Sequence, residues 1–215
     1  MSTSQNHRFL IADDLLAVNR WTYFLLLCVA TFLLLFIKKS FIESRIAAFE
    51  IMEGKGEMGI FHVISALQYL SIPLYYLWKF TVTSFVLWVG CFMFGYKITY
   101  SQLWKIVLIS ETLFLLPDLM KTGWFMLVES DPSYWDVKAF YPLSLMNFFD
   151  YELVDKRWHY PLKAINLFEI SYWFILVYLI HISAKKKLSY AYNIVFSSYV
   201  LFFFVWLGFY LIVYK

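Results

Sequence analysis

The sequence contains little charge and few of the residues that interrupt regular structure. Only 15% of its 215 residues are charged, and it has 7 glycines, 5 prolines and 2 cysteines. Soluble domains carry about 25% charged residues, so this chain has too little charge to cover the surface of a soluble protein. Its net charge of +3 is also too small to indicate a polyanionic partner. These shortages exclude a soluble enzyme, a disordered segment and a nucleic-acid-binding protein.

Sequence motifs for metal binding and catalysis are also missing. Cys28 and Cys91 lie in separate apolar segments and form no C-x-x-C pair, so we predict neither a disulfide nor a thiolate metal site. The four histidines are His7, His62, His159 and His181. None lies three or four residues from another, which is the spacing that two ligands on one helix need. With no H-E-x-x-H, G-x-S-x-G or P-loop sequence, we predict no enzyme activity, no catalytic residue, no metal and no cofactor.

Apolar residues are abundant instead. Hydrophobic residues make up 62% of the chain and aromatic residues 23%, and the mean hydropathy is +0.65. A membrane-spanning helix needs about 20 mostly apolar residues, or fewer when a terminal Lys or Arg reaches the headgroups. The pattern predicts an all-α fold, a polytopic transmembrane helical bundle of five or six spans with short amphipathic helices at the interface. Residues 1–20 are expected to form an N-terminal polar segment, and residues 21–215 a single transmembrane domain. The predicted spans are 21–37, 72–95, 103–127, 164–184 and 190–214.

The first apolar run, residues 21–37, has two interpretations. A cleavable signal peptide would need a small-residue cleavage site after the run. The run is instead followed at once by Lys38 and Lys39, and the segment before it carries charges of both signs. We therefore interpret the run as a span that the mature protein retains.

The long run 60–96 also has two interpretations, because it exceeds the length of one straight span. In the favoured one, residues 60–71 lie at the interface or re-enter the membrane, and residues 72–95 cross it. The alternative is a helical hairpin that turns at Lys79, although one charged residue is a very short turn. The positive-inside rule favours the hairpin, since Lys38-Lys39 and Lys185-Lys186-Lys187 share a side only when an even number of spans separates them. The sequence leaves both interpretations open.

Two polar segments are predicted to lie at the membrane surface. Residues 40–53 form an amphipathic helix too charged to cross, with Ser40 and Glu43 at capping-box spacing. Residues 144–158 form a second short helix within the aromatic-rich connection 128–163. Aromatic side chains suit the headgroup level of a membrane, and they also suit a surface that docks a partner. The candidate interface residues in this connection are Tyr134, Trp135, Phe148, Phe149 and Trp158.

Ionisable residues are concentrated in one predicted span, 103–127, which Pro117 should kink. A charged side chain inside a membrane is costly unless it is paired or hydrated, so it is a functional candidate by default. Glu111 and Asp118 lie seven residues apart on one helix face, and Lys121 is placed to pair with Asp118. A closed ion pair would be structural, whereas an acidic stripe along a wet cavity would move protons or ions. The intramembrane polar candidates are Lys105, Glu111, Asp118, Lys121, Asn166 and Glu169.

The second half of the chain carries several short motifs of a known family. They are Phe94-Gly95-Tyr96, Leu116-Pro117, Tyr141-Pro142-Leu143-Ser144-Leu145, and Ile165-Asn166-Leu167-Phe168-Glu169-Ile170 followed by a basic link with Ser189 and Ala191. Together with the order of the spans, these motifs resemble bacterial members of the Yip (Ypt/Rab-interacting protein) family of membrane proteins over residues 80–214. The resemblance implies a five-span helical bundle with one terminus on each side of the membrane and with no catalytic residues.

The composition and the resemblance together predict a non-enzymatic integral membrane scaffold or adaptor subunit. Its expected partners are membrane lipids and other integral membrane proteins, and its expected location is the bacterial inner membrane. The alternative is a small transporter or permease-like subunit that uses the intramembrane acidic residues to move protons or ions.

Overall fold

The computed structural model describes residues 18–42, 58–128, 133–185 and 187–214, and in residues 58, 60–62 and 134 it describes the backbone only. The described residues form helices and short connections, with one isolated antiparallel bridge between Ser144 and Asn166. The predicted all-helical fold is therefore confirmed for this part of the chain. Most of the predicted polar segment 1–20 and of the predicted amphipathic helix 40–53 lies outside the described residues.

The helices differ widely in length. In chain order they are α1 Arg20–Phe41, α2 Met58–Met93, α3 Tyr100–Glu111, a 3-10 turn Thr112–Phe114, α4 Leu115–Leu127, α5 Tyr134–Ala139, a second 3-10 turn Leu145–Phe148, α6 Lys156–Ala164, α7 Leu167–Ala184, α8 Leu188–Val195, a π-helical turn Phe196–Val200 and α9 Leu201–Val213. The π-helical turn joins α8 to α9 without a break, so these three elements form one long helical segment.

Four of the described helical segments are long and apolar enough to cross a membrane. They are Arg20–Phe41, Val63–Met93, Leu167–Ala184 and Leu188–Val213. A bilayer core is about 30 Å thick, which about 20 helical residues traverse. These segments indicate an integral membrane protein, and they overlap four of the predicted spans, although Val63–Met93 begins nine residues before the predicted span 72–95.

The remaining predicted span, 103–127, is interrupted. Helix α3 ends at Glu111, the turn Thr112–Phe114 follows, and α4 begins at Leu115. Pro117 lies in the first turn of α4, where a missing N–H is tolerated, and its ring restricts the turn before it. The predicted distortion near Pro117 is present, but it divides the segment into two helices.

Helix α2 matches neither of the two interpretations of the run 60–96. Its 36 residues form one helix with Pro73 inside it. At 1.5 Å per residue this helix is about 54 Å long, more than a bilayer core requires. The helix continues through Lys79, so the predicted hairpin is wrong. It also continues through residues 71 and 72, so no boundary separates an interfacial piece from a span.

The predicted helix 144–158 is also replaced by a different structure. Only Leu145–Phe148 forms a short 3-10 turn, and a new helix, α6, begins at Lys156. The side chain of Asp155 accepts a hydrogen bond from the backbone N–H of Arg157 and so caps the start of α6. The Asp150 side chain accepts in the same way from the N–H of Glu152 and stabilises a turn. These local side-chain bonds compete with a continuous helix.

The described residues divide into two compact units. The first unit contains residues 18–25, 77–113, 169–185 and 187–214, and the second contains residues 26–42, 58–76, 114–128 and 133–168. The interior of the first unit is apolar. Its fully buried side chains include Phe80, Leu87, Leu103, Ile106, Tyr172, Leu176, Ile180 and Ile194. In the second unit, Ile42, Phe125 and Val137 form a buried cluster with Phe140 against it.

A close approach of two backbones helps to hold the first unit together. Gly90 of α2 faces Ser198 in the π-helical turn, and a Cβ atom added at Gly90 would lie 2.7 Å from Ser198 Oγ and 2.8 Å from Ser198 Cβ. Only glycine leaves room for this contact. The Ser198 hydroxyl in turn donates to the carbonyl of Ile194, 2.6 Å away. π-helical turns are rare and often occur at functional sites.

Candidate functional site

A buried ion pair lies in the first unit between α2 and α3. Lys79 Nζ donates to Glu111 Oε1 over 2.5 Å. The Glu111 side chain is 2% exposed and that of Lys79 is 25% exposed. A carboxylate this deeply buried needs a positive partner, because water cannot solvate its charge. The sequence identified Glu111 as a candidate, and the structure supplies its partner.

The connection between α2 and α3 places Glu111 by fixing where α3 begins. Gly95 adopts a left-handed backbone with φ of 69°, which reverses the chain after α2. Helix α3 then starts with a capping box, in which the Thr99 side chain accepts from the backbone of Gln102 and the Gln102 side chain accepts from the backbone of Thr99. Glu111 is the last residue of the helix that these caps begin.

The start of α1 contacts both ends of α3. Arg20 donates to the Ser101 hydroxyl over 3.0 Å, and the Tyr23 and Thr112 hydroxyls lie 2.6 Å apart. Arg20 and Tyr23 are one turn apart on α1, whereas Ser101 and Thr112 are near the two ends of α3. These two hydrogen bonds join the start of α1 to both ends of α3.

Three aromatic rings pack where α1, α2 and α3 meet. Phe80 lies next to Lys79 in the sequence, and its ring is 5.6 Å from that of Trp104 and 6.3 Å from that of Phe24. Both contacts are edge-to-face, the arrangement that aromatic quadrupoles favour. The rings bury the helix junction beside Lys79.

A second buried carboxyl group lies in the same unit. Glu169 Oε1 accepts hydrogen bonds of 2.9 Å from Trp173 Nε1 and of 2.9 Å from the Tyr199 hydroxyl. Trp173 is one turn beyond Glu169 on α7, and Tyr199 comes from the π-helical turn. Glu169 is 8% exposed. Two donors to one oxygen offset part of the cost of burying this group.

The two carboxyl groups and the lysine act on one another. Glu169 interacts electrostatically with both Lys79 and Glu111. We call the five residues Lys79, Glu111, Glu169, Trp173 and Tyr199 the polar site. It contains two carboxyl groups and one amine. The Oε2 atom of Glu111 is buried and has no hydrogen-bond partner among the described residues.

The other polar candidates have different surroundings. Glu111 is buried, whereas Asp118 is exposed in the first turn of α4. Lys121 donates to the carbonyls of Val137 and Phe140, 2.5 and 2.8 Å away, and so satisfies the C-terminal end of α5.

Two more of these candidates lie near helix ends. Asn166 donates 3.0 Å hydrogen bonds to the carbonyls of Lys163 and Ala164, which end α6. Lys105 lines an open cavity beside Arg20.

Three residues of the polar site were not candidates from the sequence. Lys79 entered the sequence analysis only as the turn of the alternative hairpin, although a lone Lys inside a long apolar run is a signal for a buried partner. Trp173 follows Glu169 by four residues, which is the spacing of helix neighbours. Tyr199 comes from a separate helical segment, and no spacing in the sequence indicates its contact with Glu169.

The segment 133–166, which we call the aromatic connection, belongs to the second unit and joins α4 to α7. Four of its five candidate interface residues are exposed: Trp135, Phe148, Phe149 and Trp158. For Tyr134 only the backbone is described. Phe148 is 82% exposed, and the neighbouring Leu153 is 84% exposed. The connection is folded, since backbone hydrogen bonds join Leu145 to Ile165 and Leu167 to Leu143.

A cluster of side chains on this connection lowers the pKa of one lysine. The Lys163 amine lies 4.6 Å from the centre of the Tyr151 ring and donates to the carbonyl of Lys138. The His159 ring stacks on Tyr151 with the ring centres 3.9 Å apart. Burial, and then the positive charge of Lys138, lower the pKa of Lys163 from 10.5 to about 8.

Comparisons of the chain with models of protein families, with curated proteins and with solved structures found no match. The resemblance to the Yip family therefore stays a prediction. Among the described residues, no group of three or more His, Cys, Asp or Glu side chains is arranged to hold a metal ion.

Proposed function

We propose that the chain is a non-enzymatic scaffold or adaptor subunit that associates with other integral membrane proteins. The observation that carries this proposal is the exposed apolar surface of the aromatic connection, above all Phe148, Phe149 and Leu153. This surface lies outside the four candidate spans, so crossing the membrane does not account for it. A protein partner would bury it, and aromatic residues are enriched in such interfaces.

The pairing inside the polar site supports the same proposal. Glu111 is neutralised by Lys79, and Glu169 is held by Trp173 and Tyr199. Carboxyl groups that are paired with neighbouring side chains in this way act as structural links between helices. They would hold the bundle rigid while the aromatic connection contacts the partner.

A photo-crosslinking experiment tests this proposal. A benzophenone amino acid at Phe148 should form an adduct with one membrane protein in native membranes. The same probe at Phe92, which is exposed on the candidate span of α2, should react with lipid. Mass spectrometry identifies both adducts. Lipid adducts alone at Phe148 would instead assign the connection to the membrane surface.

Co-purification in mild detergent gives an independent test. A variant with Phe148→Ser and Leu153→Ser should lose a partner that the unchanged chain retains in a stoichiometric amount. Leu127→Ser is the matched control, because Leu127 is exposed but lies outside the aromatic connection. A chain that purifies alone would contradict the proposal.

We also propose the finer topology of five spans, in a bacterial inner membrane. The additional span would be residues 100–127, where α3, the turn Thr112–Phe114 and α4 follow one another directly. This helical path is about 40 Å long, enough to cross a bilayer core. Its interruption at Thr112–Phe114 means that such a span would not be one continuous α-helix.

A second candidate function is the movement of protons or ions, and the balance of charge in the polar site favours it. Two carboxyl groups face one amine there, and Glu111 Oε2 has no hydrogen-bond partner among the described residues. In liposomes, Glu111→Gln should abolish a pH-driven flux that the exposed-residue control Asp155→Asn retains. If the unchanged chain carries no proton, sodium or potassium flux, this candidate is excluded.

A further inference from the structure

The π-helical turn Phe196–Val200 shifts the register of the last helical segment by one residue. One of its backbone bonds runs from the N–H of Leu201 to the carbonyl of Phe196, five residues earlier. The buried side chains follow the same spacing, since Ile194 and Tyr199 are five residues apart and both are buried. Residues five apart lie about 140° apart around an α-helix, whereas a π-helical turn places them on one face. The turn therefore absorbs one residue and keeps the buried face continuous.

Side-chain hydrogen bonds support the π-helical register. The Ser197 and Ser198 hydroxyls each donate over 2.6 Å to the backbone carbonyl four residues earlier. These bonds satisfy carbonyls at the point where the regular helical hydrogen bonds are disturbed. The Tyr199 hydroxyl donates over 2.9 Å to Glu169 Oε1 and so joins the turn to α7.

An uninterrupted α-helix would place the same residues differently. Every residue after the turn would take the place of the next one, which rotates α9 by about 100°. Ser197 would lie opposite Gly90 in place of Ser198, so a serine meets the glycine in either register. Trp206 would take the interior place of Leu207. In the π-helical register Leu207 is 5% exposed and Trp206 is 47% exposed.

Two opposing preferences therefore act on this segment. π-helices are rare because their hydrogen-bonded geometry is less favourable than that of an α-helix. The bond between Tyr199 and Glu169 acts the other way, since an α-helical register would bring Ser198 to the place of Tyr199 and turn the Tyr199 hydroxyl away. We propose that the last helical segment has two registers, and that the hydrogen bond between Tyr199 and Glu169 selects the π-helical one. Loss of this bond rotates α9 and changes the apolar face that α9 exposes.

Electron paramagnetic resonance of the full chain in liposomes tests this proposal. A single spin label is attached after Trp206→Cys or Leu207→Cys, in a chain with Cys28→Ala and Cys91→Ala. The accessibility of the label to oxygen shows whether the position faces lipid. With Tyr199 in place, the label at position 206 should be accessible and the label at position 207 protected. Tyr199→Phe removes the hydroxyl and should reverse this order.

The matched control is Tyr192→Phe, because Tyr192 is an exposed tyrosine of α8 in the same helical segment. This variant should keep the original order of the two labels. The thermal unfolding temperature of each variant shows whether the fold is intact. An unchanged order in Tyr199→Phe would overturn the proposal, and so would a reversal in Tyr192→Phe.

Deletion of Ser197 gives a second test. It removes the residue that the π-helical turn absorbs, so an uninterrupted α-helix then leaves positions 206 and 207 where they are now. The deletion should therefore keep the original order of the labels, and adding Tyr199→Phe to it should no longer reverse that order. A reversal in either deletion variant would overturn the proposal, because the rotation would not then come from the extra residue.

Discussion

Lys79 and Glu111 are joined by a 2.5 Å hydrogen bond between α2 and α3, and almost the whole Glu111 side chain is enclosed. The two residues are 32 positions apart in the sequence, so the pair links α2 to α3 away from the short turn that joins them. Lys79 keeps one quarter of its side chain exposed. The buried Glu111 carboxylate therefore needs its partner more than the partly exposed Lys79 amine does.

This difference predicts unequal effects of removing each partner. Lys79→Met leaves a buried carboxyl group without its amine and should lower the free energy of unfolding by about 3 kcal/mol. Glu111→Gln should cost less, because the long Lys79 side chain can turn its amine toward water or headgroups. Unfolding in mixed micelles measures both values.

The double variant with Lys79→Met and Glu111→Leu is the control for this prediction. It removes both charges and keeps similar volumes, so it should regain much of the stability lost in Lys79→Met. A double variant as unstable as the sum of Lys79→Met and Glu111→Leu, each measured alone, would contradict a direct pair.

The contact between Gly90 and Ser198 predicts a large effect from a single methyl group. Gly90→Ala places a Cβ atom 2.7 Å from Ser198 Oγ, and the crowding should cost about 1–3 kcal/mol of stability. Gly123→Ala is the matched control, because a Cβ atom there meets nothing within 4 Å and alanine is the better helix former. Thermal unfolding in detergent compares the two variants. Adding Ser198→Gly to Gly90→Ala should restore stability, and a failure to do so would mean that the strain lies elsewhere.

The sequence was sufficient to predict the helical class and the presence of four long apolar helices, because these follow from the length and polarity of local runs. It also named Glu111 and Glu169 among the intramembrane polar candidates, and the structure buries both side chains. It could not identify Tyr199 as a partner of Glu169, because this contact depends on how two distant helices pack. The predicted helix 144–158 failed for a local reason, since Asp150 and Asp155 form side-chain bonds to the backbone that favour turns.

The length of α2 is a second feature that could not be predicted from the sequence. The run 60–96 was divided because it is too long for one straight span. Such a division requires a helix in a membrane protein to end where the bilayer ends. The structure keeps one helix of 36 residues instead, because nothing in the run breaks it strongly enough. Pro73 is tolerated inside the helix, and Lys79 is paired with Glu111 rather than placed at a turn.

The pKa of Lys163 predicts a pH-dependent reactivity. Burial and the nearby charge of Lys138 lower this pKa to about 8, so the amine should lose its proton and become nucleophilic well below the pH that ordinary lysines require. Competitive acetylation followed by mass spectrometry should give a midpoint near pH 8, with acetyl-lysine amide in the same tube as the reference. Lys138→Gln should move the midpoint upward. A midpoint equal to that of the reference would contradict the predicted environment.

The same pKa predicts how stability depends on pH, with a definite sign. The charged form of Lys163 is disfavoured in the folded state, so between about pH 8 and pH 10.5 the unfolded chain holds more protons than the folded one. The free energy of unfolding should therefore rise with pH through this window relative to a Lys163→Met variant. Below pH 8 the difference between the two should be constant. A stability difference that falls as the pH rises would show the opposite shift of this pKa.

Five spans predict that the two basic segments lie on opposite sides of the membrane. Between Ser40 and Ser189 the five-span topology places three crossings, which are α2, residues 100–127 and α7, whereas four spans would place two. Ser40→Cys and Ser189→Cys, each in a chain with Cys28→Ala and Cys91→Ala, should therefore react with a membrane-impermeant maleimide from opposite sides of sealed vesicles. Labelling after lysis is the control for accessibility, since both serines are exposed. Labelling of both from one side would place Lys38-Lys39 and Lys185-Lys186-Lys187 together, as the positive-inside rule favours, and residues 100–127 would then not cross.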